Sequence, residues 1–95
     1  MAAYVVVQIQ VHDPVAYDEY RVAAPPTIAL YDGKYLARGG RVETLEGDWL
    51  PQRFVILEFP TFERAKEWHA SPEYQAIAPL RHRYATSQMI VVEGF

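Results

Sequence analysis

Ninety-five residues, 51% of them hydrophobic and 22% charged, make one compact domain spanning 1–95 and leave no chain for a second core. The lack of cysteine excludes a disulfide framework, a thiolate nucleophile and Cys-based metal sites, and a formal charge of −3 provides no broad cationic surface for nucleic-acid phosphates. No apolar run approaches the roughly 20 residues of a membrane span and no basic segment leads into an apolar N-terminal core, so neither membrane nor secretion is expected and the cytoplasm is the expected compartment.

The chain opens as a strand. From Tyr4 to Val11, Val5, Val7, Ile9 and Val11 alternate with Tyr4, Val6, Gln8 and Gln10, the period of a half-buried strand. Asp13-Pro14 reads as N-cap and first helical residue, because the carboxylate accepts from free N–H groups where proline's missing donor is harmless. The helix that follows places Ala16, Tyr20 and Ala23 on one face, and Pro25-Pro26 is expected to break or kink it before a short turn through Ile28, Leu30 and Tyr31. After Gly33, Lys34 to Leu45 reads as extended, with Gly39-Gly40 suggesting a bulge or a close backbone approach. Glu46-Gly47-Asp48 is a reversal into a third strand, Arg53 to Phe59, which makes the second and third strands a hairpin.

Thr61 caps a second helix with Glu63 in its first turn and Ala65, Trp68 and His69 facing inward. Ser71-Pro72-Glu73 repeats the cap signature for a third, carrying Tyr74, Ile77, Ala78, Arg81 and Tyr84 on one side, with Pro79 expected to bend it. Ser87 to Glu93 is the last strand. The order β-α-β-β-α-β predicts an α+β, ferredoxin-like domain: a four-stranded antiparallel sheet with helices on one face. The other face shows Tyr4 and Val6 beside two glutamines. Strand three adds either Phe54 and Ile56 or Val55, Leu57 and Phe59, and strand four either Ile90 and Val92 or Met89 and Val91. Either parity exposes aliphatics, so a homodimer through the open sheet face is expected.

Several blocks carry a family likeness over nearly the whole chain. Asp13-Pro14 with Tyr17 and Tyr20, the run Tyr31 to Gly40, Glu46-Gly47-Asp48-Trp49, Leu57-Glu58-Phe59-Pro60, Ala65 with Trp68, Ser71 to Gln75, and Leu80-Arg81 together resemble the uncharacterised DUF1330 family. The resemblance implies a ferredoxin-like fold of the dimeric α/β-barrel type and brings no established reaction. In two places the chain departs from the family pattern. Asp32 stands where glycine is usual, and aspartate tolerates left-handed geometry better than most residues. His69 stands where a tyrosine commonly follows the tryptophan.

Among residues able to carry chemistry, Arg81 shares a helical stripe with Tyr74, Ile77 and Tyr84, and a buried guanidinium needs partners. It is either a clamp for a ligand carboxylate or an internal partner of Glu58 or a helix carbonyl. Arg38 and Glu58, on expected hairpin neighbours, form a cross-strand salt bridge, or else Glu58, flanked by Phe54, Ile56 and Phe59, is a buried carboxylate poised as a general base. Three histidines at 12, 69 and 82 lack metal-ligand spacing. Neither a metal nor a cofactor is expected. The leading expectation is one cleft per subunit between sheet and helices, binding a small organic anion through Arg38, Trp68, His69, Tyr74 and Arg81 with Glu58 as the catalytic candidate. By fold analogy the chemistry is a cofactor-independent isomerase, lyase or monooxygenase step. The alternative is a non-catalytic structural or regulatory dimerisation module.

Overall fold

The computed structural model describes residues 1–95. Four strands, β1 (Ala3–Val11), β2 (Lys34–Arg38), β3 (Arg53–Phe59) and β4 (Ala85–Glu93), form one antiparallel sheet in the order β2-β3-β1-β4. Three helices, α1 (Pro14–Leu30), α2 (Phe62–Ala70) and α3 (Pro72–Tyr84), cover one face. The domain is of the α+β class, as its element order implies.

The register decides both open parities. Val5 lies between Leu57 and Val91, and Val7 between Val55 and Met89, so these side chains share the helix face and make the core with Phe59, Trp68 and Tyr74. Phe54, Ile56, Ile90 and Val92 fall on the open face with Tyr4 and Val6.

Caps stand where their chemistry requires. The Asp13 carboxylate accepts from Ala16 N at 3.1 Å, and Thr61 Oγ1 accepts from Arg64 N at 3.0 Å. Ser71 closes one helix and opens the next: its hydroxyl donates to Trp68 O at 2.7 Å and accepts from Tyr74 N at 3.1 Å. Asp32 takes the left-handed backbone, φ 66°, and ends α1 with its N–H on Ala29 O at 3.0 Å.

Three expectations are corrected. First, α1 does not break at Pro25-Pro26 but runs on to Leu30, burying Tyr17, Tyr20, Ala24, Thr27 and Ile28, one residue round from the face read from the sequence. Proline at 25 removes the donor that would have met the Arg21 carbonyl and thus leaves that oxygen unpaired within the helix. Arg38 fills the vacancy, its Nη2 donating to Arg21 O at 2.5 Å. Second, β2 ends at Arg38 rather than Leu45, and residues 39–52 cross to β3 outside the ladder. Gly39, at φ +68°, turns the chain away. Third, the irregularity in β2 lies not at Gly39-Gly40 but between Tyr35 and Ala37. That one-residue slip inverts the alternation: Lys34 opposes Glu58 on the open face, whereas Arg38 opposes Val55 on the helix face. α3 continues through Pro79 to Tyr84.

Candidate functional site

The inverted parity of β2 separates the expected site residues. Glu58 lies on the open face, half-buried, with Lys34 Nζ at 3.5 Å from its Oε1. It therefore pairs with neither Arg38 nor Arg81, and it is remote from the helix-covered cleft where a general base was expected. Arg38, Trp68, Tyr74 and Arg81 are all on the helix side. His69 is not turned inward but sits exposed at the last turn of α2, its ring 5.5 Å from Tyr74 and 6.1 Å from Trp68.

Trp68 is 1% exposed. Its ring is 5.4 Å from Phe59 and 4.3 Å from Tyr74, and its Nε1 donates to Thr27 Oγ1 at 3.1 Å, which in turn donates to Ala24 O at 2.8 Å. Arg81, 5% exposed, donates from Nη1 to the Tyr74 hydroxyl at 3.0 Å and from Nη2 to His82 Nε2 at 3.0 Å. The Tyr74 hydroxyl also meets that of Tyr20 at 2.8 Å. The Arg81 Nε is buried with no partner. A cation at this depth is costly without a counter-charge, yet the ion pairs of the molecule are Arg21–Asp18, Lys34–Glu58, Arg64–Asp32 and Arg64–Glu67. Arg38, Arg53 and Arg81 have no carboxylate.

Trp68, Tyr20, Arg38 and Arg53 border a cleft between α1 and the sheet, whereas Arg81 and Tyr74, expected in it from the sequence, line none of its walls. An inner cavity of about 30 Å³ is lined by Tyr17, Tyr20, Tyr35, Arg38, Arg53 and Trp68 with apolar residues of β1 and β3. An outer vestibule of about 300 Å³ lies against Val11, Pro14, Asp18 and again Tyr17, Arg21 and Arg53. Arg38 is held over the Tyr35 ring at 4.6 Å, which together with its bond to Arg21 O gives it a structural task at the cleft wall. A separate apolar groove of about 290 Å³ runs between α2 and the β4 edge, past Trp68, His69 and Met89.

Burial raises the pKa of Tyr17, with Arg53 and Arg81 opposing, and that of Tyr35, with Arg38 and Arg53 opposing. Tyr20 is pushed well above the usual phenol range by burial and by Tyr74. Tyr74 is likewise raised by burial, against Arg81 and the bond from Tyr20. All four phenols keep their protons at neutral pH, and the cleft presents the hydroxyls of Tyr17, Tyr20 and Tyr35 with the Arg38 and Arg53 guanidiniums, while its one wall carboxylate, Asp18, is paired with Arg21. His69 is shifted below 6.5 by partial burial, then by Arg81 and His82, which keeps its imidazole neutral. Such a cleft can hold an anion and stabilise negative charge developing on oxygen.

Sequence reasoning missed Arg53 and left Tyr17, Tyr20 and Tyr35 among general aromatic filler. The signal for Arg53 was its parity with Val55, Leu57 and Phe59, which makes it the charged member of an otherwise apolar strand face.

Solved structures with the same fold are distant in sequence. RPA0582, a protein of unknown function from Rhodopseudomonas palustris, superposes with a TM-score of 0.78 at 18% identity, covering 99% of this chain and 82% of its own. A dimeric ferredoxin-like protein of unknown function from a Jannaschia species gives 0.72 at 9% identity, over 99% and 100%. SnoaB, a cofactor-independent oxygenase from Streptomyces nogalater, gives 0.68 at 13% identity, over 99% and 93%. At these identities the likeness establishes the ferredoxin-like fold. No curated protein sequence matches the chain. The model of the domain of unknown function DUF1330 matches residues 2–95, and the chain therefore belongs to the DUF1330 family.

Proposed function

We propose that two copies associate through the open sheet face and that each binds a small organic anion in the cleft between α1 and the sheet. The observation that carries the ligand reading is an imbalance: Arg38 and Arg53 line the cleft with the protonated phenols of Tyr17, Tyr20 and Tyr35, and neither arginine has a carboxylate. The vestibule volume, about 300 Å³, suits a small ligand. The assembly reading is supported by the apolar open face, where Ile90 is 62% and Val92 47% exposed, and by the dimeric state given for the Jannaschia protein. For chemistry, a donor-rich cleft supports a step in which a small acidic substrate builds negative charge on oxygen, compatible with cofactor-independent isomerisation, lyase or oxygenation chemistry. SnoaB lends that class support by analogy of fold.

One observation favours the second reading, a non-catalytic assembly module: Arg38 is accounted for by the helix carbonyl that Pro25 orphans. A thermal-shift screen of small mono- and dicarboxylates at low ionic strength, run beside light scattering, separates the two. Saturable stabilisation by a carboxylate is expected. A melting temperature indifferent to every member of the panel overturns the ligand reading, and a stable monomer at micromolar concentration overturns the assembly reading.

A further inference from the structure

We infer that Arg53, Tyr17 and Tyr35 form a seat for the carboxylate of a small monocarboxylate with an apolar body, and that Gly39 and Arg38 position this seat. The inference rests on the anion reading above and names the groups that grip the ligand and its class.

Arg53 opens β3 opposite Ile9, so its side chain lies on the helix face and walls both the inner cavity and the vestibule. Its Nε is buried and has no partner. Its guanidinium packs on Gly39, where a Cβ would overlap Nη1 and stand 2.7 Å from Cζ. Glycine there answers two needs, the left-handed turn out of β2 and the space for this arginine. Tyr17 reaches the same place from α1 and Tyr35 from β2, and the Arg53 charge acts on both phenols. Each hydroxyl keeps its proton and has no hydrogen-bond partner in the protein, whereas Tyr20 and Tyr74 satisfy each other. The nearest acid along the vestibule wall, Asp18, is engaged by Arg21 at 3.0 Å.

Every polar group of the seat can therefore donate, and none is charged negatively: a planar guanidinium fork and two protonated hydroxyls. A carboxylate, with two oxygens and about four lone-pair sites, complements that set. The inner cavity, about 30 Å³, admits no more than a water or a methyl group, so the body of the ligand lies in the vestibule, where Val11, Pro14 and the Tyr17 ring favour a hydrocarbon or aromatic group behind the charge.

The test is a titration of ¹⁵N-labelled protein with sodium benzoate and sodium phenylacetate, following the Arg53 Nε–H resonance, identified by its loss in R53K. Calorimetry on the wild type, R53K, Y17F, Y35F and G39A runs in parallel. A saturable shift of the Arg53 Nε–H signal is expected, with affinity reduced about tenfold or more in R53K and about threefold to tenfold in each Tyr→Phe variant. G39A should weaken binding as R53K does, because the new methyl displaces the guanidinium. Carboxylate binding that leaves the Arg53 signal still and is indifferent to R53K, Y17F and Y35F overturns the seat and leaves the anion reading intact. Failure of both carboxylates to bind the wild type overturns the seat, and the anion reading falls with it only when the full carboxylate panel also leaves the melting temperature unmoved. Inorganic phosphate that binds as tightly, with the same Arg53 shift, overturns the assignment to a carboxylate with an apolar body.

Discussion

The helix-covered layer has two ends built on opposite terms. Around Trp68, rings pack on rings and, the Arg81 Nε apart, polar atoms find partners: the indole donates to Thr27, the Thr27 hydroxyl to Ala24 O, and Ser71 bridges two helices. Around Arg53 the layer holds cations and phenols whose partners are missing, beside open space. Burial of apolar area explains the first end, at about 1.5–3 kcal/mol for each large side chain. It cannot explain the second, because a buried unpaired donor subtracts stability. A region that costs stability and borders a cavity is where binding is to be sought, and a region held by close packing is scaffold even where, as at Trp68, one edge of it walls that cavity.

The sharpest way to break this contrast is at its packed end. Trp68→Ala, which removes a fully enclosed indole and the bond it donates to Thr27 Oγ1, should cost about 3–5 kcal/mol in chemical denaturation; a cost under about 1 kcal/mol would mean that Trp68 is not part of the scaffold. Tyr74→Phe should cost less, about 1–3 kcal/mol, because it leaves the Arg81 Nη1 and the Tyr20 hydroxyl short of a partner in a dry environment. The same measurement on Arg53→Met should give a change within about 1 kcal/mol of zero, or a gain, since a flexible apolar chain of similar length replaces a cation without a counter-charge. If Arg53→Met destabilises as much as Tyr74→Phe, Arg53 belongs to the scaffold and the two ends are not different in kind.

The smallest effect concerns His69. Its folded-state pKa lies below 6.5, so above pH 6.5 the ring is neutral in both states and contributes no pH dependence. As the pH falls below 6.5 the unfolded chain takes up the proton first, and stability declines until the folded-state value is reached. His69→Gln should therefore shallow the loss of stability as the pH falls below 6.5. An unchanged slope would show that Arg81 and partial burial do not act on this ring.

Much of the scaffold was legible from short-range chemistry. The alternation in β1 assigned its two faces correctly, Asp13, Thr61 and Ser71 cap as their types require, and Asp32 occupies the left-handed position open to it. The stripe on α3 placed Arg81 in the interior with Tyr74. The candidate site was less legible. Pro25-Pro26 reads locally as a helix end, and the helix survives it because an arginine thirteen residues further on reaches back to the orphaned carbonyl. Arg38 and Glu58 read as cross-strand partners under strict alternation, and the slip at Leu36 sends them to opposite faces. Arg53 lay open to parity, yet parity had a reference only once β3 was paired with β1.

The sequence by itself determined the class of fold, the caps, the buried face of the first strand and the interior position of Arg81, since each depends on residues within a few positions of one another. Only the tertiary structure decided which arginines share a cleft, which carboxylate is kept out of it, and that Tyr17, Tyr35 and Arg53 meet without an acceptor. The physical reason is that face assignment along a strand is a matter of even and odd. A single bulge reverses it, and whether a bulge forms is set by what the reversed side chain finds on the far side of the sheet.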